Sequence, residues 1–182
     1  KKRVRMVRRL KTLTVHLEKE SYPIYMDDNW DDLFSALISS KSEESSFKSA
    51  STISVSSQNK KKLMLITDEN VAHWYRQPVE EHFKALNYQV VTAIVEPGEV
   101  TKTLKEAEKL YTVALKANLD RSSVIAALGG GVVGDLAGFV ASTYMRGVPF
   151  VQIPTSLLAQ VDSSIGGKVA VNHPMGKNVI GS

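Results

Sequence analysis

The 182-residue sequence predicts an α/β protein with a Rossmann-like, mostly parallel sheet, flanking helices and an N-terminal β-hairpin. Three observations predict it. From residue 63 onward, short apolar runs rich in β-branched residues alternate with segments of helical spacing, the pattern of strands joined by right-handed crossover helices. One of these runs, Val124 to Leu128, feeds three consecutive glycines, and a helical pattern begins just after Gly134 and Asp135. That is a strand, a phosphate-cradling turn and a helix. The composition, 43% hydrophobic and 23% charged, is that of a globular chain able to bury one core.

The elements follow in order. Residues 1–11 form a basic tail ahead of an α/β domain spanning 12–182. Leu13, Val15 and Leu17 alternate with polar residues, Lys19 to Ser21 make a turn, and Tyr22 to Met26 form a second apolar stretch, which predicts a β-hairpin. Asp28 or Asn29 caps a short helix over Trp30 to Ile38. Ser39 to Ser57 then holds ten serines in nineteen residues. Burial cannot offset the ordering entropy of such a segment, so a flexible insertion is expected at about 39–61. Leu63 to Thr67 reads as a buried strand, Val71 to Leu86 as a helical segment broken or kinked by Pro78, and Gln89 to Val95 as the next strand. Leu104, Ala107, Leu110, Tyr111, Ala114 and Leu115 recur at helical spacing, with Asn118 ending the helix. The Val124 strand, the glycine turn, a helix over Leu136 to Tyr144 and a strand over Phe150 to Ile153 complete the alternation. Turns at Gly166–Gly167 and Pro174–Gly176 bracket a short strand at Val169 to Val171.

Composition narrows the function classes. The chain has no cysteine, which excludes disulfides, thiolate metal sites and cysteine nucleophiles. No apolar run reaches bilayer-spanning length, so a soluble protein with no membrane partner is expected. The net charge of +4 conceals an asymmetry. Lys1, Lys2, Arg3, Arg5, Arg8, Arg9 and Lys11 carry seven positive charges, leaving 16 basic against 19 acidic residues and a net −3. Basicity confined to a tail argues against a nucleic-acid-binding surface; the tail reads as a disordered arm, with a targeting remnant or an anion-binding arm as the functional alternatives. The four histidines, His16, His73, His82 and His173, show no paired metal spacing, so no metal ligands are assigned.

The residues able to carry chemistry gather where the strands of a parallel sheet end: Asp68, Glu99, Gly131 and Thr155. Gly129, Gly131 and Gly134 fit G-x-G-x-x-G in the required strand-to-helix context, a tight turn without ligand being the plain alternative. The motif departs from the usual dinucleotide fingerprint in two ways: it comes two-thirds along the chain, and the next strand ends in Thr155 and Ser156 instead of an acid. In Pro97-Gly98-Glu99-Val100-Thr101-Lys102, Glu99 suits ribose hydroxyls and Lys102 a phosphate or substrate, or the segment is a turn whose acid complements a helix dipole. Asp162, Lys168, Lys177 and Asn178 lie in a glycine-rich stretch suited to a phosphorylated polyol, ammonium groups for phosphate and carboxylate and amide for hydroxyls. Arg146 is open between surface charge and anion clamp.

Taken in order, TDEN at Thr67 to Asn70, PGEVTK, ALGGGVVGDLAGFVASTYMRGV and QIPTSLLAQVDSSIGGKVAVNHPMGKNVIG resemble the 3-dehydroquinate synthase family of sugar phosphate cyclases, over roughly Leu63 to Gly181. The resemblance implies a lyase of the shikimate pathway. It uses NAD and a divalent metal, zinc or cobalt, to convert 3-deoxy-D-arabino-heptulosonate 7-phosphate into 3-dehydroquinate and phosphate. It implies that Asp68 and Asn70 contact the adenosine side of NAD and that Glu99 to Lys102 form a second NAD segment. Gly130, Gly131, Val132, Val133, Gly134 and Asp135 would cradle the pyrophosphate and neighbouring ribose, with Thr155, Ser156, Lys168 and Lys177 completing the cofactor contacts. Arg146, Asp162, Lys168 and Asn178 would contact the substrate, Asp162 holding the reacting hydroxyls and Lys168 and Arg146 the anionic groups. Ser156 stands where the family commonly has threonine. The family's metal ligands, a glutamate and two histidines, belong to a helical C-terminal domain not contained in this chain, so it reads as the cofactor-binding half of a cytoplasmic homodimer, or of a plastid enzyme if the basic tail is a targeting remnant. The rival readings are another sugar phosphate cyclase and a non-catalytic NAD-binding or assembly module. A glycerol-dehydrogenase-like oxidoreductase leaves HPMGKN unexplained.

Overall fold

The computed structural model describes residues 10–16, 21–27, 29–34, 36 and 60–182. The chain divides into two units, Lys1–Gln58 and Asn59–Ser182. In the first, strands β1 (Lys11–His16) and β2 (Ser21–Met26) pair antiparallel, with Leu13 opposite Ile24 and Val15 opposite Tyr22. A short helix, α1, covers 30–34. Asn29 begins it: its side-chain oxygen accepts from the Asp31 amide at 3.0 Å, satisfying one of the amides a helix start leaves open. The expected basic tail (apart from Leu10 and Lys11), most of the hairpin turn, the Asp28 cap and the serine-rich stretch lie outside the described residues.

The second unit carries the α/β alternation. Strands β3 (Lys61–Asp68), β4 (Tyr88–Val95), β5 (Val124–Gly129) and β6 (Phe150–Pro154) form one sheet in the order β4-β3-β5-β6, and every pairing is parallel. The two central strands are apolar runs without alternation because both faces are covered; all of β5 is buried. Helices α2 (Glu69–Ala85), α3 (Leu104–Lys116) and α4 (Gly131–Thr143) connect the strands. Met64, Ile66, Ile125 and Ala127 share a core with Ala107 and Leu110 of α3 and with Leu136 and Val140 of α4, whereas α2 buries Val79 and Phe83. Side chains alternate across a strand, so Leu63, Leu65 and Ala126 point to the opposite face. Last come β7 (Ala170–His173) and β8 (Gly176–Gly181), an antiparallel hairpin whose Val171 joins the α3–α4 core.

Helix α2 runs unbroken through Pro78, so of the break or kink expected there the break does not occur. The missing Pro78 amide costs the bond to the Trp74 carbonyl, but this stretch faces water: Trp74 is 71% exposed, and a solvated carbonyl needs no helical donor. Helix α3 ends as Asn118 predicts, that residue adopting φ 52°. The Lys62 ammonium donates to the carbonyls of Ala117 at 3.2 Å and Asn118 at 2.8 Å, a cation at the negative end of a helix. Helix α4 starts at Gly131, earlier than the pattern after Asp135 predicted, so Gly134 lies inside the helix.

The strand order reverses between β3 and β5: the chain leaves β3 toward β4, then returns past β3 to β5 and β6. In open α/β sheets the crevice beyond the carboxyl ends of such strands is where ligands sit. Here that crevice lies between Asp68 and Gly130.

Gly138 sets how closely α4 meets the segment before β7. A Cβ there would meet Val169 Cγ1 at 2.3 Å and Phe150 Cε1 at 3.1 Å. Overpacking of that kind costs up to about 3 kcal/mol, against roughly 1 kcal/mol gained in helix propensity. Gly138→Ala is therefore expected to lower unfolding stability by about 2 kcal/mol, read from the urea midpoint. An unchanged midpoint would show that α4 has room to move.

Candidate cofactor and substrate site

The first turns of the three long helices differ in who satisfies their amides. The Asp68 carboxylate accepts from Val71 N at 2.9 Å and caps α2, and the Thr103 hydroxyl accepts from Glu106 N at 3.2 Å and caps α3. The N-cap of helix α4 is Gly130, which has no side chain to close its first turn. Its first in-helix bond is Gly134 N to Gly130 O at 3.0 Å, so the amides of Gly131, Val132 and Val133 point out of the amino terminus. Aligned peptide dipoles make that end attractive to an anion.

Each glycine of the motif has its own steric reason. A Cβ on Gly129 would lie 2.7 Å from Val133 Cβ, and one on Gly134 would lie 2.9 Å from Gln152 Oε1. These two allow α4 to sit tightly on β5 and β6, and Val133 and Gly134 are buried, so neither offers a side-chain face to a ligand. Around Gly130 and Gly131 the neighbours are hydroxyls instead. A Cβ on Gly130 would come within 3.5 Å of Ser156 Oγ, and one on Gly131 within 3.0 Å of Ser163 Oγ. This pair, backbone bare and hydroxyl-flanked, is a cradle that a side chain would fill, and it fits the pyrophosphate of a dinucleotide. Thr155 N donates to Gly129 O at 3.0 Å and Ser156 Oγ accepts from Ala159 N at 3.2 Å, which fixes the loop after β6 beside the cradle.

A second group of polar residues lies alongside. Lys102, in the loop after the 3-10 turn Glu99–Thr101, has a side chain only 4% exposed. Its ammonium pairs with the Asp135 carboxylate and donates to Asn178 Oδ1 at 2.5 Å. An unpaired ammonium could not remain there, because removing a charge from water costs several kcal/mol unless it is paired and hydrogen-bonded. The pair also keeps Asp135 from placing a net negative charge beside the amino terminus of α4. Asn178 adopts φ 55°, which asparagine tolerates better than most residues. Asn172 completes the group: its backbone N–H donates to Lys102 O at 2.8 Å, Nδ2 donates to Glu99 Oε1 at 2.8 Å, and Oδ1 accepts from Asn178 N at 2.8 Å.

The residues named from the sequence divide accordingly. Glu99, Lys102, Asp135 and Asn178 are brought into one network, and Gly130, Gly131 and Ser156 into the cradle. Asp162 sits in the π-helical turn Ala159–Ser163, which packs against α4, the kind of local irregularity that re-aims a side chain. Asp162, Lys168 and Lys177 are exposed. Asp68 ends β3 and Asn70 lies exposed in the first turn of α2, across the crevice from the cradle. Arg146 is not brought to this group. It follows the carboxyl end of the 13-residue α4, roughly 20 Å along the helix from Gly131 at 1.5 Å per residue. There Met145, Arg146 and Gly147 take φ of 51°, 69° and 112°, a strained run that only glycine adopts freely.

Three residues of the site escaped the sequence reading: Ser163, Gln152 and Asn172. Ser163 and Gln152 matter through contacts between segments far apart in sequence, which no local pattern signals. Asn172 lay inside the quoted VNH and could have been found as the amide two residues into a strand beside a polar turn.

Lys102→Ala would leave Asp135 and Asn178 without their shared donor. Because Asp135 is 22% exposed, water softens the loss, and the expected destabilisation is about 2–3 kcal/mol, between a hydrogen bond to a charge and a fully buried pair. Chemical denaturation measures it, and a loss below about 0.5 kcal/mol, the level of an exposed pair, would contradict the buried geometry.

Known proteins place this geometry in a family. The sequence model described as 3-dehydroquinate synthase N-terminal matches residues 92–182. The 3-dehydroquinate synthase of Desulforamulus reducens is 50% identical over 94% of this chain and 43% of its own length. That of Caldanaerobacter subterraneus is 46% identical over 92% and 43%. The chain thus spans somewhat under half the length of these relatives. Among solved structures, 2-deoxy-scyllo-inosose synthase complexed with carbaglucose-6-phosphate, NAD+ and Co2+ superposes with a TM-score of 0.77 at 24% identity, over 94% of this chain and 43% of the other. ValA, the 2-epi-5-epi-valiolone synthase from Streptomyces hygroscopicus with NAD+ and Zn2+ bound, gives 0.62 at 22% over 74% and 42%. Both share the fold, and the sequence match over half the chain settles the rest: this chain belongs to the 3-dehydroquinate synthase family.

Proposed function

We propose that this chain is the NAD+-binding part of a 3-dehydroquinate synthase, acting on 3-deoxy-D-arabino-heptulosonate 7-phosphate to give 3-dehydroquinate and phosphate. The observation that carries the reading is the amino terminus of α4, uncapped, glycine-lined and set where the strand order reverses. In this reading the amides of Gly131 to Val133 bind the pyrophosphate, with the hydroxyls of Thr155 and Ser156 beside it. Glu99 and Asp135 accept from ribose hydroxyls, and Asp68 and Asn70 lie toward the adenosine side across the crevice. The bound nicotinamide would supply a hydride acceptor that later returns the hydride, so the overall conversion needs no external oxidant. Asp162 holds the reacting hydroxyls of the substrate, Asn178 contributes its amide, and Lys168 and Lys177 face anionic groups of substrate and cofactor. The placement of Arg146 leaves it no role at this cradle.

The divalent metal of the family does not fit the residues present. Among the described residues no group of three His, Cys, Asp or Glu is placed to hold one, so no step is derived through a metal. No helix among them is long and apolar enough to cross a membrane; for the whole enzyme we propose a cytoplasmic location and a homodimer.

Calorimetric titration of the 182-residue chain with NAD+ tests the reading, with Gly131→Val as the comparison. The valine would crowd Ser163 Oγ and fill the cradle, and is expected to weaken binding at least about tenfold, a loss of about 1.4 kcal/mol. No binding by the parent chain, or equal binding by both, would overturn the cofactor reading.

A further inference from the structure

We propose that Asn172 is the positioning residue of this site, its side-chain amide holding Glu99 and Asn178 in register and, through Asn178, the ammonium of Lys102. The proposal rests on the cofactor reading above for its consequence, NAD+ affinity, but its geometry stands on its own. Three polar groups of Asn172 are engaged: N–H on Lys102 O, Nδ2 on Glu99 Oε1 and Oδ1 on Asn178 N. The partners fix the orientation of the amide, since a backbone N–H requires the oxygen and a carboxylate requires the nitrogen. Asn172 thereby bridges the segment ahead of α3 and strand β8, 73 and 6 residues away in sequence.

The strain in Asn178 gives the bridge its purpose. A left-handed backbone costs energy and persists only where its surroundings over-determine it, and the bond from Asn178 N to Asn172 is one such determinant. With Asn178 at φ 55°, its Oδ1 reaches Lys102. Released from Asn172, Asn178 is free to relax to ordinary strand geometry, and the Lys102 ammonium would keep only Asp135. Glu99 would lose the donor that aims its carboxylate. Asn172 also lies at the register irregularity of the β7–β8 hairpin, between Val171 and His173, the kind of feature that re-aims a side chain.

The test uses Asn172→Asp in the 182-residue chain. The variant sets a second carboxylate against Glu99, and the repulsion turns the side chain away from both partners, so the bond to Asn178 N is lost together with the one to Glu99. At pH 8 it is expected to bind NAD+ at least about tenfold more weakly, and its Lys102 to be acylated by an activated ester at least about tenfold faster, read by peptide mass spectrometry. Carboxylates in contact share a proton, so affinity should recover toward the parent value as the pH falls to about 5. The titratable groups facing Asn172 are Glu99 and Lys102, with Lys105, Glu106, Lys109 and His173 lining the adjoining groove. Affinity is compared with the parent chain at each pH. Combining Glu99→Gln with Asn172→Asp exchanges donor and acceptor, and should return Lys102 to slow acylation at pH 8, a rescue that damage to the hairpin would not show. Unchanged acylation in Asn172→Asp, a pH profile parallel to the parent's, or failure of the double variant to rescue overturns the proposal. A parent chain that binds no NAD+ overturns the cofactor reading instead, and the acylation arm then decides the positioning role alone.

Discussion

Lys102 places a cation where only 4% of its side chain meets water, and the surroundings are built to satisfy it. Its carboxylate partner comes from α4, its amide partner from β8, and its own carbonyl is taken by β7. Three elements distant from Lys102 in sequence are thereby held in one arrangement at the carboxyl end of the sheet. Apolar packing brings α3, α4 and the β7–β8 hairpin together, but such packing is non-directional. The ammonium adds direction, because a buried charge tolerates few geometries.

The same pairing conditions the anion site proposed next to it. Asp135 lies in the second turn of α4, close enough to an amino terminus for its charge to oppose a bound phosphate. Neutralised by Lys102, it leaves the helix dipole and the free amides of Gly131 to Val133 unopposed. The contrast with α2 and α3, whose first turns are closed by Asp68 and Thr103, shows that an open helix start is specific to α4 among the three long helices. Glycine serves two purposes within one motif: Gly129 and Gly134 admit close packing, while Gly130 and Gly131 leave room for a ligand.

Much of this was legible in the sequence. The central strands announced themselves as continuous apolar runs because both faces are covered, and α3 showed its buried stripe through Ala107, Leu110 and Ala114. The glycine motif located the cradle. Its helix began earlier than expected because glycine and β-branched residues are poor helix formers, and burial of Val133 and Leu136 against the sheet overrode that preference. The break that Pro78 could have caused is absent for the converse reason, an exposed helix surface tolerating the lost bond. The roles of Ser163 and Gln152 were invisible because each depends on what folding places opposite it. Arg146, expected to contact the substrate, stands beyond the carboxyl end of α4, a distance from the cradle that its sequence pattern does not carry.

The central claim is that the open amino terminus of α4 receives the pyrophosphate of NAD+. Backbone amide resonances of the 15N-labelled chain, followed during titration with NAD+, test it most directly. The account predicts that the amides of Gly131, Val132 and Val133 move most and saturate together with those of the Ser156 loop. Saturable shifts confined to other parts of the chain, with these amides unmoved, would contradict it.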